Sequence, residues 1–230
     1  MANYQTHLAV SGIMGVAYGT AASALCAFSP VHGALACCLT CLAGMLPDLD
    51  SETGRPVREV FGALAAATPF LMSNRLEAWA GGRDGAVLLA LAIYVAIRYG
   101  GANLLALLAV HRGMFHSIPA MLIAAELAFL ACKFDSLRVR LLLAGGVAVG
   151  FASHLALDEL YSVKWDGALV ALKSSAGSAV KFLSKNWSAN IVAYGLLASL
   201  SYAVLVDTGY IQVLKPTRPH GALTRNARTR

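Results

Sequence analysis

Residues 141–158 read LLLAGGVAVGFASHLALD. Leu141 to Leu157 form an apolar run, with Gly145-Gly146 inside it and no polar face until Ser153 and His154. A helix that is apolar all round is buried or lies in a membrane. This one closes on His154 and Asp158, two costly groups in such a setting. Similar runs lie on both sides. Leu8 to Phe28 carries Gly12, Gly15, Gly19, Ala21 and Ala22, small residues suited to close helix packing. Ser29-Pro30 breaks it, and Val31 to Leu46 follows as far as Pro47. Val57 to Met72 has a polar start at Arg58 and Glu59 and contains Pro69. Asn74 to Asp84 reads as a polar loop with Gly81-Gly82. Ala86 to Ile97 ends at Arg98 and Gly100-Gly101, and Ala102 to Val110 is too short to span a bilayer. Ile118 to Cys132 carries Glu126, and Lys133 to Arg140 reads as a basic turn. Residues 161–188 are mixed, and Ile191 to Val206 is a final span.

Composition agrees with the runs. Of 230 residues, 58% are apolar and 13% charged, and mean hydropathy is +0.64. Soluble domains carry about 25% charged residues. The expected fold is therefore an all-α, polytopic membrane helical bundle of about six to eight apolar helices, some short or half-inserted. Residues 1–214 are expected to form a single integral-membrane domain, and 215–230 a basic, disordered tail. The net charge is +6, but five of the 18 basic residues lie in that tail. It fits an anionic lipid surface, and no nucleic-acid partner is expected. No Lys or Arg precedes Arg55, so the first helix is expected to be retained. Cys26, Cys37, Cys38, Cys41 and Cys132 lie in apolar runs and read as small packing residues.

The remaining polar residues gather in four clusters: Thr6-His7, Leu46-Pro47-Asp48-Leu49-Asp50, His111-Arg112-Gly113-Met114-Phe115-His116-Ser117, and Ser153-His154 with Asp158. An acid among membrane helices costs about 2.5–3.5 kcal/mol on insertion scales, so it needs a partner and a purpose. His154 and Asp158, four apart, share a helix face and can hold one metal. Asp48 and Asp50 flank one residue in an extended stretch and can point the same way. A turn at Gly113 brings His111 and His116 together, and Arg112 suits an anionic group such as a phosphate. Taken singly, each cluster has a plainer reading: a solvated loop, a helix-end hydrogen bond, or an arginine anchored to lipid phosphate. Glu126 fits helix packing as well as function. Helix parity favours the joint reading. If successive long runs cross the membrane, the start of the first helix, the end of the second, the start of the sixth and the end of the seventh share one face.

The series His7, Leu-Pro-Asp-x-Asp (46–50), His-Arg-Gly-x-x-His-Ser (111–117) and Ser-His-x-x-x-Asp (153–158) resembles the YdjM-like family of predicted membrane-bound metal-dependent hydrolases. Family members often carry His after the Asp-x-Asp, where this chain has Ser51, and Thr before the second central His, where it has Phe115. More distantly, the His/Asp pattern is similar to zinc-dependent phospholipase C and related helical nucleases, which implies phosphoester substrates. The metal ligands expected are His7, Asp48, Asp50, His111, His116, His154 and Asp158. Seven are more than one tetrahedral zinc uses, so several ions or outer roles are implied. Zinc is the first choice of divalent metal, with manganese or iron as alternatives. A metal-activated water is the expected nucleophile. Asp50 or Asp158 is expected to serve as base and Arg112 to steady negative charge. The expected partners are the lipid bilayer and a lipid or lipid-linked phosphate substrate. The alternatives are a metal-ion transporter or channel, with ligands near the bilayer midplane, and a structural or regulatory membrane protein whose metal ties helices together.

Overall fold

The computed structural model describes residues 3–50, 54–101, 115–132, 134, 136–166, 169–172, 182–184 and 186–211. His111, Arg112, Ser51, the run 102–110 and the basic tail 215–230 lie outside these residues. The described chain is a helical bundle. Its helices are α1 (Tyr4–Leu25), α2 (Pro30–Ala43), α3 (Arg55–Leu71), α4 (Ser73–Ala80), α5 (Arg83–Val95), α6 (Ile118–Ala131), α7 (Leu137–Leu160) and α8 (Trp187–Asp207). A 3-10 turn spans Pro47–Asp50, and α5 runs on into a π turn over Ala96–Gly101. Four helices are long and apolar enough to cross a membrane: α1, α5 with its π turn, α7 and α8. The apolar helices α2 and α6 have 14 residues each.

The helix starts follow local chemistry. The side chains of Asn3, Ser29, Ser117 and Asn186 accept backbone N–H groups at the starts of α1, α2, α6 and α8. Pro30 and Pro119 sit in first turns, where a missing N–H costs nothing.

Helix α7 is the centre of the bundle. Half of its 24 residues are buried, whereas Ala86 alone is buried in α5, and Ala189 and Asn190 in α8. Small residues let α1, α2 and α7 approach backbone to backbone. A Cβ on Gly150 would lie 2.0 Å from the Thr40 carbonyl oxygen of α2, and one on Gly19 would lie 2.3 Å from the Gly33 carbonyl oxygen. Ala22, Ala36, Val139, Leu142 and Leu143 fill the core between them, and the Tyr18 hydroxyl donates to the Leu142 carbonyl at 3.0 Å. On the outward faces Ile13, Val16, Val87, Leu88, Leu91, Ile191 and Val192 are all more than half exposed. Surface this apolar needs lipid or another apolar cover.

Three local readings are corrected. Residues 73–80 form a helix, not a polar loop. The side chain of Leu76 is buried while those of Arg75 and Glu77 are exposed, so the charges occupy the outer face of a short amphipathic helix. The turn is confined to Gly81, at φ 71°, and Gly82. Arg138 and Arg140 belong to α7 rather than to a basic turn. Arg140 donates twice to the Phe129 carbonyl, at 3.2 and 3.3 Å, stacks 4.0 Å over the Phe129 ring and pairs with Asp207. Within the mixed segment after α7, Val163–Asp166 (β1) and Leu169–Leu172 (β2) pair as an antiparallel hairpin, Val163 opposite Leu172. Glu126, which has no partner evident in sequence, accepts the Ser201 hydroxyl of α8 at 2.6 Å.

Candidate metal centre

Four elements end at one place. His7 lies one turn into α1, on the inward stripe it shares with Ser11, Gly15, Gly19 and Ala22. Thr6 faces away and bonds to the Asn3 cap. After α2 the chain turns at Gly44 and enters the 3-10 turn at the buried Pro47, which delivers Asp48. The extended reading of this stretch is therefore corrected. Three residues per turn leave backbone positions two apart about 120° away from each other, whereas an extended strand would align them. Asp50 occupies the last place of the turn, and its side chain lies outside the described residues. His116 immediately precedes the buried Ser117 cap of α6. His154 and Asp158 share one face near the end of α7.

The donors converge. His116 Nε2 lies 3.4 Å from Asp48 Oδ1 and 3.6 Å from Asp158 Oδ2. His154 Nε2 lies 3.5 Å from each of the same two oxygens. His7 Nε2 lies 3.3 Å from Asp158 Oδ1. Charge-assisted N–H···O⁻ bonds normally run about 2.7–2.9 Å, so these contacts are long. Donors held about 2.1 Å from one cation at tetrahedral angles stand about 3.4 Å apart. The four facing separations are close to that value, and two overlapping groups, Asp48 with His116 and His154, and His7 with His154 and Asp158, each have ligand atoms within 4.8 Å of one another.

The orientation of His154 is set by one contact. His154 Nδ1 lies 2.7 Å from the Gly44 carbonyl. A carbonyl can only accept, so Nδ1 carries a proton, and Nε2 is the atom turned toward Asp48 and Asp158. A contact of this kind fixes the tautomer of histidines that bind metals. No hydrogen bond to Nε2 of His154 or of His116 is formed among the described residues, although both atoms are buried. Burial pushes the Asp48 carboxyl up, but the facing His116 and His154 rings outweigh it and hold that carboxyl well below the usual carboxylate range.

Access is one-sided. The side chains of His7, His154 and Asp158 are 3%, 0% and 4% exposed, against 18% for His116 and 19% for Asp48. The cluster opens between the 3-10 turn and the start of α6.

Of the seven ligand candidates, the structure brings together His7, Asp48, His116, His154 and Asp158. His111 and Arg112 fall outside the described residues, as does the side chain of Asp50. The contribution missing from the sequence reading is the Gly44 carbonyl, since no side chain marks it. The family model for the YdjM inner membrane protein matches residues 1–205. The chain belongs to the YdjM family. All four clusters of this YdjM protein lie inside the matched span, and it is an integral inner-membrane protein associated with the lipid bilayer. No curated protein and no solved structure was found to match it.

Proposed function

We propose that this YdjM-family chain is a membrane-bound metal-dependent hydrolase that cleaves a phosphoester of a lipid or lipid-linked substrate. The observation that carries the reading is the group Asp48, His116 and His154, three donors within 4.8 Å of one another that leave a fourth position for water, with Asp158 Oδ2 3.5–3.6 Å from both imidazoles. Two imidazoles and two carboxylates suit zinc, with manganese or iron as alternatives. A divalent ion bound there supplies Lewis acidity toward a phosphoryl oxygen and activates water near neutral pH. The chain's own part is to hold the donors, to keep α7's face of the cluster dry, and to leave the Asp48 and His116 side open to substrate. Arg112, beside His116 in sequence, is the group assigned to steady negative charge, and Asp50, beside Asp48, the group assigned as base. A lipid-borne phosphoester is favoured because the donors lie at the ends of apolar helices rather than midway along them. The same placement argues against a transport path, whose ligands belong near the midplane.

One observation favours a second reading. The donors come from the 3-10 turn, the start of α6 and the end of α7, so a bound metal would also tie these elements together. Two measurements separate the readings: the metal content of the purified protein, and release of phosphate or alcohol from anionic phospholipid and polyprenyl phosphoester vesicles. The hydrolase reading expects metal together with turnover, both lost in His154→Ala. Metal without turnover on any phosphoester leaves the helix-tying role. Absence of metal rejects both.

A further inference from the structure

We propose that His7 is a positioning residue that grips the outer oxygen of Asp158, and not a ligand of the ion that His154 binds. The inference rests on the metal-centre reading above. His7, His154 and Asp158 are near enough to suggest a three-donor site, but the ring geometry forbids it. An imidazole holds a metal in its own plane, along the nitrogen lone pair. The His7 and His154 rings are stacked, with centroids 3.6 Å apart and planes only 11° from parallel. Planes so arranged meet far outside bonding distance, so no single ion lies in both. The His116 and His154 rings are different. Their planes cross at 64° with centroids 5.4 Å apart, so their in-plane lone pairs can meet at one point.

The Asp158 carboxylate is divided accordingly. Oδ2 faces His116 and His154, and Oδ1 faces His7 Nε2 at 3.3 Å. His7 Nδ1 is buried with no hydrogen-bond partner among the described residues, so the ring proton belongs on Nε2, where a carboxylate accepts it. His7 is 3% exposed and His154 covers one face of its ring, so its orientation is fixed by packing. Its effect is to hold the carboxylate so that Oδ2 is turned toward His116 and His154. The stacked rings thus have opposite tasks: His154 donates outward through Nδ1 to Gly44, and His7 donates inward through Nε2 to Asp158.

The test uses the full-length protein in detergent with Zn²⁺ and Co²⁺ as probes. His7→Leu and His7→Gln are compared with the wild type for ions bound per chain at saturation, zinc Kd by chelator competition, and the visible spectrum of the cobalt form. The expected result is unchanged stoichiometry in both variants and a cobalt spectrum of unchanged band positions. The zinc Kd should weaken about 10–100-fold in His7→Leu, the cost of losing an outer partner. Most of that loss should be restored in His7→Gln, whose amide N–H can reach the same oxygen. Loss of one ion per chain, or a shifted cobalt spectrum in His7→Gln, would make His7 a ligand and overturn the proposal. An unchanged Kd in His7→Leu would overturn it as well. If His7→Leu fails to fold, the His7→Gln spectrum and stoichiometry still decide. A wild type that binds no divalent ion defeats the metal centre itself, which is a different result from metal bound with His7 as a ligand.

Discussion

Two polar clusters lie at opposite ends of helix α7, and they are built differently. Near its start, Arg140 donates twice to the Phe129 carbonyl, stacks on the Phe129 ring and pairs with Asp207. Near its end, His154 and Asp158 face His116 and Asp48 across 3.4–3.6 Å gaps, with Nε2 of both rings buried and making no hydrogen bond among the described residues. The members of the first cluster bond directly to one another and fasten α6, α7 and α8. The second has the spacing expected of groups that share a cation, as the proposed function requires. Burial alone does not separate the two clusters; the distances inside them do.

The comparison can be broken at several points, beginning with the largest effect. Asp158→Ala should lower metal affinity more than about 100-fold, beyond the cost of an outer contact, and should abolish any rise in Tm on adding zinc. Metal analysis and a thermal melt check both, and a variant that kept its metal would reduce the lower cluster to a hydrogen-bond network. Gly150→Val touches no donor, yet its side chain would drive into the Thr40 carbonyl and part α7 from α2. His154 would then leave Gly44, so zinc affinity should fall at least about tenfold, as for loss of an outer contact, and Tm should drop as well. Unchanged zinc binding here would show that the centre does not depend on close packing of the two helices.

Arg140→Met should reverse the pattern. It should cost about 1–3 kcal/mol of stability, less than a fully buried pair because Asp207 is partly exposed. Metal content should stay at the wild-type level, and a loss of metal would mean that the two ends of α7 are coupled. The smallest effect belongs to Glu126→Gln. The Ser201 hydroxyl can still donate to the amide oxygen, so stability should change by about 0.5 kcal/mol or less. A large loss in that variant would give Glu126 a role beyond joining α6 to α8.

The difference between the clusters also explains what the sequence could reveal. The runs ending at Leu46 and Leu157 and starting at Leu8 and Ile118 mark the helix ends, and parity alone assigns their polar termini to one face. His154 and Asp158 were legible because helical spacing is fixed. Asp48 was legible as a residue but not as a geometry, since the 3-10 turn depends on how Pro47 is buried. The partnership of Arg140 with Asp207 spans 67 positions, and no local pattern carries it. The α4 helix was hidden because only Leu76 in it needs burial, too little to show a period. The Gly44 carbonyl belongs to the backbone, and a sequence does not say where a backbone oxygen points.

The short helices have a further consequence. Fourteen residues of α2 or α6 extend about 21 Å, while a bilayer's hydrocarbon layer is about 30 Å thick. A membrane meeting these helices must thin beside them, or their ends must lie beneath the headgroups. Both adjustments bring the phosphate layer and the open Asp48 and His116 side toward the same depth. A lipid phosphate could then approach the donors without leaving its leaflet, so the mismatch itself would present the substrate.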